Sequence, residues 1–110
     1  METAPLEITA EELARRLQTN EDLQLVDVRE EMEFDYCHLP GSLLLPLDEL
    51  PRRAAEIRLL GPVVLICHHG VRSGHAAAYL RQHLGRPNVL NLRGGVAAWA
   101  AQVDPEFPTY

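Results

Sequence analysis

The chain contains no lysine. Its ten basic residues are all arginine, set against sixteen acidic ones, for a formal net charge of −6 over 110 residues. That balance excludes non-specific attraction to nucleic acid or an anionic membrane, though it leaves room for a local positive site. Nothing in the sequence explains the missing lysine. Cysteine is almost absent, with only Cys37 and Cys67 present. Two cysteines in a chain with an ordinary core do not make a disulfide scaffold, so two free thiols are expected. No apolar run approaches the roughly 20 residues of a membrane-spanning helix. The first residues, Met1-Glu2-Thr3-Ala4-Pro5, are acidic and lack an apolar signal core, which predicts a cytoplasmic protein. Repeats, low-complexity stretches and linkers are also lacking, so residues 1–110 read as one domain. The apolar fraction of 46% is that of a globular core and excludes disorder.

What is present is an alternation of strands and helices. Leu6-Ile8 reads as a short edge strand. Thr9 and Glu12 form a capping box for a helix that carries Leu13 and Leu17 on one face and ends near Asn20. Leu23 to Val28 is a strand with Asp27 near its carboxyl end. Glu30 to Tyr36 is a short acidic helix, and Pro40-Gly41 marks a turn before the strand Ser42-Leu45. Leu47 to Leu60 reads as a helix with Pro51 in its first turn. Val63-Ile66 is a buried strand, Gly74 to Leu84 a helix and Val89-Leu92 a last strand. Gly94-Gly95 then opens a helix from Val96 to Gln102, and a tail with two prolines wraps from Asp104 to Tyr110. This order predicts an α/β fold: a central, mostly parallel sheet of four to five strands with helices on both faces. Ligands bind such sheets beyond the carboxyl ends of the strands, where Asp27 and Cys67 fall.

Cys67 carries the chemistry. It stands at the end of the most apolar strand, on a short loop opening a helix. Unpaired N–H groups of that loop and of the first helical turn favour an anion at the sulfur, and the thiolate is the nucleophile. The alternative for such a residue is a small buried hydrophobe. Residues His68, His69, Gly70, Val71, Arg72 and Ser73 should curl around the sulfur as an anion-binding nest, with Gly70 supplying backbone freedom. Arg72 is a candidate to bind an anionic donor through paired hydrogen bonds, the alternative being a salt bridge to a surface acid. Adjacent side chains on a tight loop point apart, so His68 and His69 read as rim residues. No Cys/His spacing matches a metal site. Arg29 reads first as the partner of Glu33, four residues on. His75 and His83 read as solvated helix positions, His38 as a tie within its turn, and Phe34 and Trp99 as core.

Four segments together resemble the single-domain rhodaneses, which are sulfurtransferases. These are Leu25-Val26-Asp27-Val28-Arg29-Glu30 with Glu33-Phe34, His38-Leu39-Pro40-Gly41-Ser42, the loop Cys67 to Ser73, and Asn91-Leu92-Arg93-Gly94-Gly95 through Trp99. They occur in order along nearly the whole chain. One departure is Cys37, which stands where that family has glycine before the histidine. The resemblance implies that Cys67 takes sulfane sulfur from thiosulfate or a persulfide donor, with no cofactor beyond a covalent Cys67 persulfide. It implies a cyanide, thiol or sulfur-carrier acceptor, ping-pong kinetics, and a secondary contact of Arg29 with the donor. Two other readings compete. Phosphatases and arsenate reductases of the related cysteine-loop kind imply five residues between cysteine and arginine. Here there are four, His68 to Val71, which suits sulfur better than a phosphoryl group. Rhodanese-like domains lacking the cysteine act as docking modules, and the intact Cys67 loop argues against that role.

Overall fold

The computed structural model of the protein describes residues 7–110. Five parallel strands form one sheet: β1 (Glu7–Ile8), β2 (Gln24–Asp27), β3 (Leu43–Leu44), β4 (Val63–Ile66) and β5 (Val89–Leu92), in spatial order β1-β5-β4-β2-β3. The expected edge strand is present as Glu7–Ile8, and Leu6 lies outside the described residues. Strand β4 is central because every one of its residues is apolar and both of its faces are covered. Val64 and Ile66 point into one core with Ala10, Leu13, Val96 and Trp99. Val63 and Leu65 point into the other, with Leu50, Ala76, Ala77 and Leu80. All four β4 side chains are fully buried, each stabilising the fold by roughly 1.5–3 kcal/mol relative to exposure.

The helices supply those two covers. Helix α1 (Ala10–Gln18) starts where the sequence predicts, with Thr9 Oγ1 accepting from the Glu12 N–H at 3.1 Å. It lies with α5 (Gly95–Gln102) on one face. Helix α4 (Val71–His83) covers the other, burying Ser73, Ala76, Ala77 and Leu80 at helical spacing. The short helix α2 (Glu31–Tyr36) follows β2 in the chain, opened by a capping box between Glu30 and Glu33.

Two helix expectations are corrected. No single helix runs from Leu47 to Leu60. A 3₁₀ turn at Leu47–Glu49, a four-residue α3 (Leu50–Arg53) and a second 3₁₀ turn at Ala54–Glu56 take its place. Long-range donors hold the carbonyls that a helix would have used. Arg86 reaches Ala54 O and Ile57 O at 3.3 and 3.0 Å, Gln24 reaches Glu56 O at 2.9 Å, and Asn88 reaches Arg58 O and Gly61 O at 3.0 and 2.8 Å. Helix α4 begins at Val71, three residues earlier than its alanine pattern suggests, so Arg72 and Ser73 belong to its first turn.

The connection after β2 leads toward β3, and the connection after β4 leads toward β5, so the chain diverges between adjacent strands β2 and β4. Asp27 lies beside Ile66 in register, and the Val28 N–H bonds Ile66 O at 2.9 Å. This crevice is the topological switch point of the sheet, and Cys67 is the first residue beyond it.

Candidate active site

Cys67 leaves β4 almost fully buried, at 1% exposure. Its Sγ accepts from the Gly70 N–H at 3.1 Å, the Ser73 N–H at 3.4 Å and the Ser73 hydroxyl at 3.3 Å. Gly70 makes this geometry at φ +92, in the left-handed region, and closes the loop as the N-cap of α4. A side chain at Gly70 would press on the backbone of Gly94 and Leu92. The Ser73 N–H is one of the donors that a helix leaves unpaired in its first turn, and here the sulfur receives it.

The loop's carbonyls are pulled the other way. The Val96 and Ala97 N–H groups of α5 bond Cys67 O and His68 O at 2.9 and 3.0 Å. The start of α5 therefore satisfies its own orphan donors and turns those carbonyls away from the sulfur. Gly95 makes the approach feasible: a Cβ there would come closer than 3.0 Å to both carbonyl oxygens.

Ser73 faces two acceptors, Cys67 Sγ and Asn91 Oδ1. One hydroxyl proton serves one of them at a time. With a thiol at Cys67, the S–H points to Ser73 and Ser73 points to Asn91. With a thiolate, the hydroxyl turns to the sulfur. Asn91 is itself fixed, its amide donating to Gly70 O at 3.0 Å and Glu7 Oε2 at 3.3 Å.

Around the cradle lie two ion pairs joined by one phenol. Arg29 and Asp27 are fully buried against each other, with Arg29 Nε and Nη2 on the Asp27 carboxylate at 2.8–3.1 Å. Arg29 Nη2 also donates to Cys37 O at 2.5 Å, and Nη1 to the Tyr110 hydroxyl at 2.6 Å. Tyr110 in turn donates to Glu33 Oε2 at 3.1 Å. Arg72 grips Glu33 by both nitrogens, at 2.8 and 3.0 Å. Those bonds hold the Glu33 carboxyl down to about 2 against the opposing effect of burial, and the Glu30 N–H assists. Burial, then the neighbouring His69, pushes His68 below the ordinary histidine range. The Tyr110 ring stacks on His68 with centroids 4.0 Å apart, and His68 stacks on His69 at the same spacing.

The structure thus gathers Cys67, His68, His69, Gly70, Val71, Arg72 and Ser73 at one place, with Gly70 and Ser73 contacting the sulfur. Val71 points outward, 63% exposed. The pairing expected between Arg29 and Glu33 does not form. Arg29 turns inward to Asp27, whose carboxylate offsets its charge where both side chains are fully buried, and Glu33 is left to Arg72. The two histidine rings lie face to face rather than pointing apart, because Tyr110 continues the stack. No group of side chains able to hold a metal ion occurs among the described residues. His38 ties its turn as expected, through Nδ1 and Phe34 O at 2.7 Å and by stacking on Phe34. Sequence reasoning missed Asn91, Glu33 as the partner of Arg72, and Tyr110. Asn91 carried one usable signal, a polar residue inside the apolar strand Val89–Leu92.

The rhodanese-like domain family matches residues 9–102, and the chain belongs to that family. A sulfurtransferase of Allochromatium vinosum is 46% identical over 94 residues, covering 86% of this chain and 87% of that protein. The adenylyltransferase and sulfurtransferase MOCS3 of Aedes aegypti is 38% identical, over 94% of this chain and only 26% of that longer protein. The crystal structure of a rhodanese-like domain protein from Staphylococcus aureus superposes with a TM-score of 0.79 at 28% identity, over 94% of this chain and 97% of that one. Family and relatives support sulfur transfer as the general activity. No helix among the described residues is long and apolar enough to cross a membrane.

Proposed function

We propose that the protein moves sulfane sulfur through a persulfide on Cys67. The Cys67 thiolate attacks the outer sulfur of thiosulfate or of an organic persulfide. A sulfur–sulfur bond forms to Cys67 as the donor's own S–S bond breaks, and sulfite or a thiolate leaves with the bonding pair. An acceptor nucleophile, such as cyanide or a thiol of a small molecule or of a carrier protein, then attacks the outer sulfur and restores the Cys67 thiolate. No oxidant or proton donor is needed in either step, and no metal or organic cofactor takes part. The observation that carries this reading is the set of three donors, Gly70 N–H, Ser73 N–H and Ser73 hydroxyl, converging on one buried sulfur. Such donors stabilise the thiolate and the terminal persulfide anion as an oxyanion hole stabilises oxygen. A carrier-protein acceptor is supported by the name of a Bacillus subtilis relative, putative sulfur carrier protein YrkF, which is 33% identical over 89% of this chain and 52% of that protein.

Intact-mass measurement after incubation with thiosulfate tests the proposal. The expected result is a gain of one sulfur atom that cyanide discharges and that Cys67→Ala abolishes. No gain from thiosulfate or from an organic persulfide, in folded protein with a free Cys67 thiol, overturns it. Hydrolysis of an aryl phosphate by that same preparation would replace it with phosphatase chemistry.

A further inference from the structure

We infer that Glu33 is a specificity-determining residue that cancels the charge of Arg72 and so selects organic sulfur donors of at most one negative charge over dianionic thiosulfate. The inference rests on the persulfide reading and refines its donor.

The N–H cradle favours an anion of any charge, but a preference for a dianion over a monoanion needs uncompensated positive charge nearby. Two arginines stand around the cradle, and each faces its own carboxylate: the fully buried Arg29 with Asp27, and the partly exposed Arg72 with Glu33. The sum over these four side chains is zero, and a Cys67 thiolate makes it −1. A dianion approaching that set meets net repulsion, while a neutral or singly charged donor meets less.

Glu33 is not a loosely swinging surface acid that a donor could push aside. Four contacts fix it: two from Arg72, one from the Tyr110 hydroxyl at 3.1 Å and one from the Glu30 N–H at 2.9 Å. Its side chain is 21% exposed. Freeing Arg72 for an anion would leave the Glu33 carboxylate, still held by the Tyr110 hydroxyl and the Glu30 N–H, without its cationic partner. The carboxylate also stays ionised throughout the neutral range, so its charge is permanent there.

Beside Glu33 the surface turns apolar. A hollow of about 260 Å³ is lined by Met32, Glu33, Tyr36 and Tyr110. Met32 and Tyr36 are 83% and 59% exposed. Thiosulfate has no group to place against such a wall. An organic persulfide or thiosulfonate has one, its alkyl or aryl substituent.

The test compares two donors that present the same sulfane sulfur with different charge: thiosulfate, a dianion, and benzenethiosulfonate, a monoanion with an aryl group. Donor kcat/KM is measured with cyanide as acceptor for the native protein, Glu33→Gln and Glu33→Asp. Gln keeps an acceptor for the Glu30 N–H, and Asp keeps the charge. The native protein should prefer benzenethiosulfonate. Glu33→Gln should narrow that preference about tenfold, through a gain on thiosulfate, since one unit charge is removed near the cradle. Glu33→Asp should retain most of the preference. On the native protein alone, raising ionic strength from about 0.01 M to about 1 M should favour thiosulfate relative to the monoanion by screening the same charge. A preference unchanged in Glu33→Gln overturns the inference. So does an equal fall on both donors, which would make Glu33 only a support for Arg72, and so does a salt response with no donor dependence. If Cys67 is loaded by either donor while the ratio stays fixed, only this inference fails. If neither donor loads Cys67, the persulfide reading fails and takes this inference with it.

Discussion

Replacing Gly95 with alanine should cost far more than replacing Gly85, although the two share the same positive φ. Both have φ +62. At Gly85 an added Cβ meets nothing within 4 Å, so Gly85→Ala registers the left-handed penalty alone. That penalty is about 1–2 kcal/mol, reduced by roughly 0.4–1 kcal/mol of entropy removed from the unfolded chain. At Gly95 the same Cβ would overlap the carbonyl oxygens of Cys67 and His68, both of them backbone atoms that cannot rotate away. Relief requires α5 to back off, which stretches the bonds from Val96 and Ala97 to those carbonyls, now 2.9 and 3.0 Å. Each lost bond is worth about 1 kcal/mol net, and more where it strands a buried group. Gly95→Ala should therefore be less stable than Gly85→Ala by about 2–4 kcal/mol. Chemical denaturation at matched m-values measures this directly. At a denaturant-free temperature where both variants are folded, only Gly95→Ala should also slow alkylation of Cys67, because its carbonyl has been released. Equal midpoints for the two variants, or a shifted midpoint with unaltered Cys67 reactivity, would refute the claim that α5 shapes the loop.

Asp27→Asn strands the buried Arg29 guanidinium and should destabilise by about 3–5 kcal/mol; a loss below about 1 kcal/mol in a denaturant titration would mean that Arg29 finds another partner. Ser73→Ala removes the hydroxyl from the sulfur and should slow persulfide formation about five- to tenfold while leaving the fold intact, with Ser73→Thr restoring the rate; an unchanged rate would assign the hydroxyl to Asn91 alone. Glu33 is held near 2 by Arg72, below its value in the unfolded chain. Its contribution is thus complete above the ordinary carboxylate range and is lost as pH falls toward 2. Glu33→Gln should be less stable by roughly 1 kcal/mol near neutrality and should show a flatter stability profile below about pH 4.5. Parallel profiles for the two proteins would break that link.

The strands were readable because both faces of this sheet are buried. Val63-Val64-Leu65-Ile66 has no polar residue to place on either side, and a short apolar run bounded by Gly61-Pro62 has few other fates. The thiol was readable for a related reason, since it follows the last residue of that run. What failed to show was whatever depends on distant partners. The Leu47–Leu60 pattern looks helical, yet its carbonyls go to Gln24, Arg86 and Asn88, which no local rule could supply. Helix α4 opens on Val71-Arg72-Ser73, where a β-branched residue and a serine weaken the helical signal and the cradle recruits the turn. The pairing of Glu33 with Arg72 rather than Arg29 is the clearest case. Spacing of four along the chain favoured Arg29, but Asp27 sits closer to Arg29 in the folded crevice, and the choice is made by burial.

The contact between α5 and the Cys67 loop has a consequence for the order in which this protein comes into being. Synthesis delivers the thiol some thirty residues before it delivers Val96 and Ala97, whose N–H groups set the loop. Parallel pairing is already slow to assemble, because every strand must wait for a crossover to close. A growing chain therefore passes through a stage in which β2, β4 and the thiol exist but the hand that shapes the loop does not. The loop's carbonyls are then free to turn either way, and their fixed direction arrives only with α5. The contacts that set the loop's carbonyls are therefore complete only once α5 has packed against it.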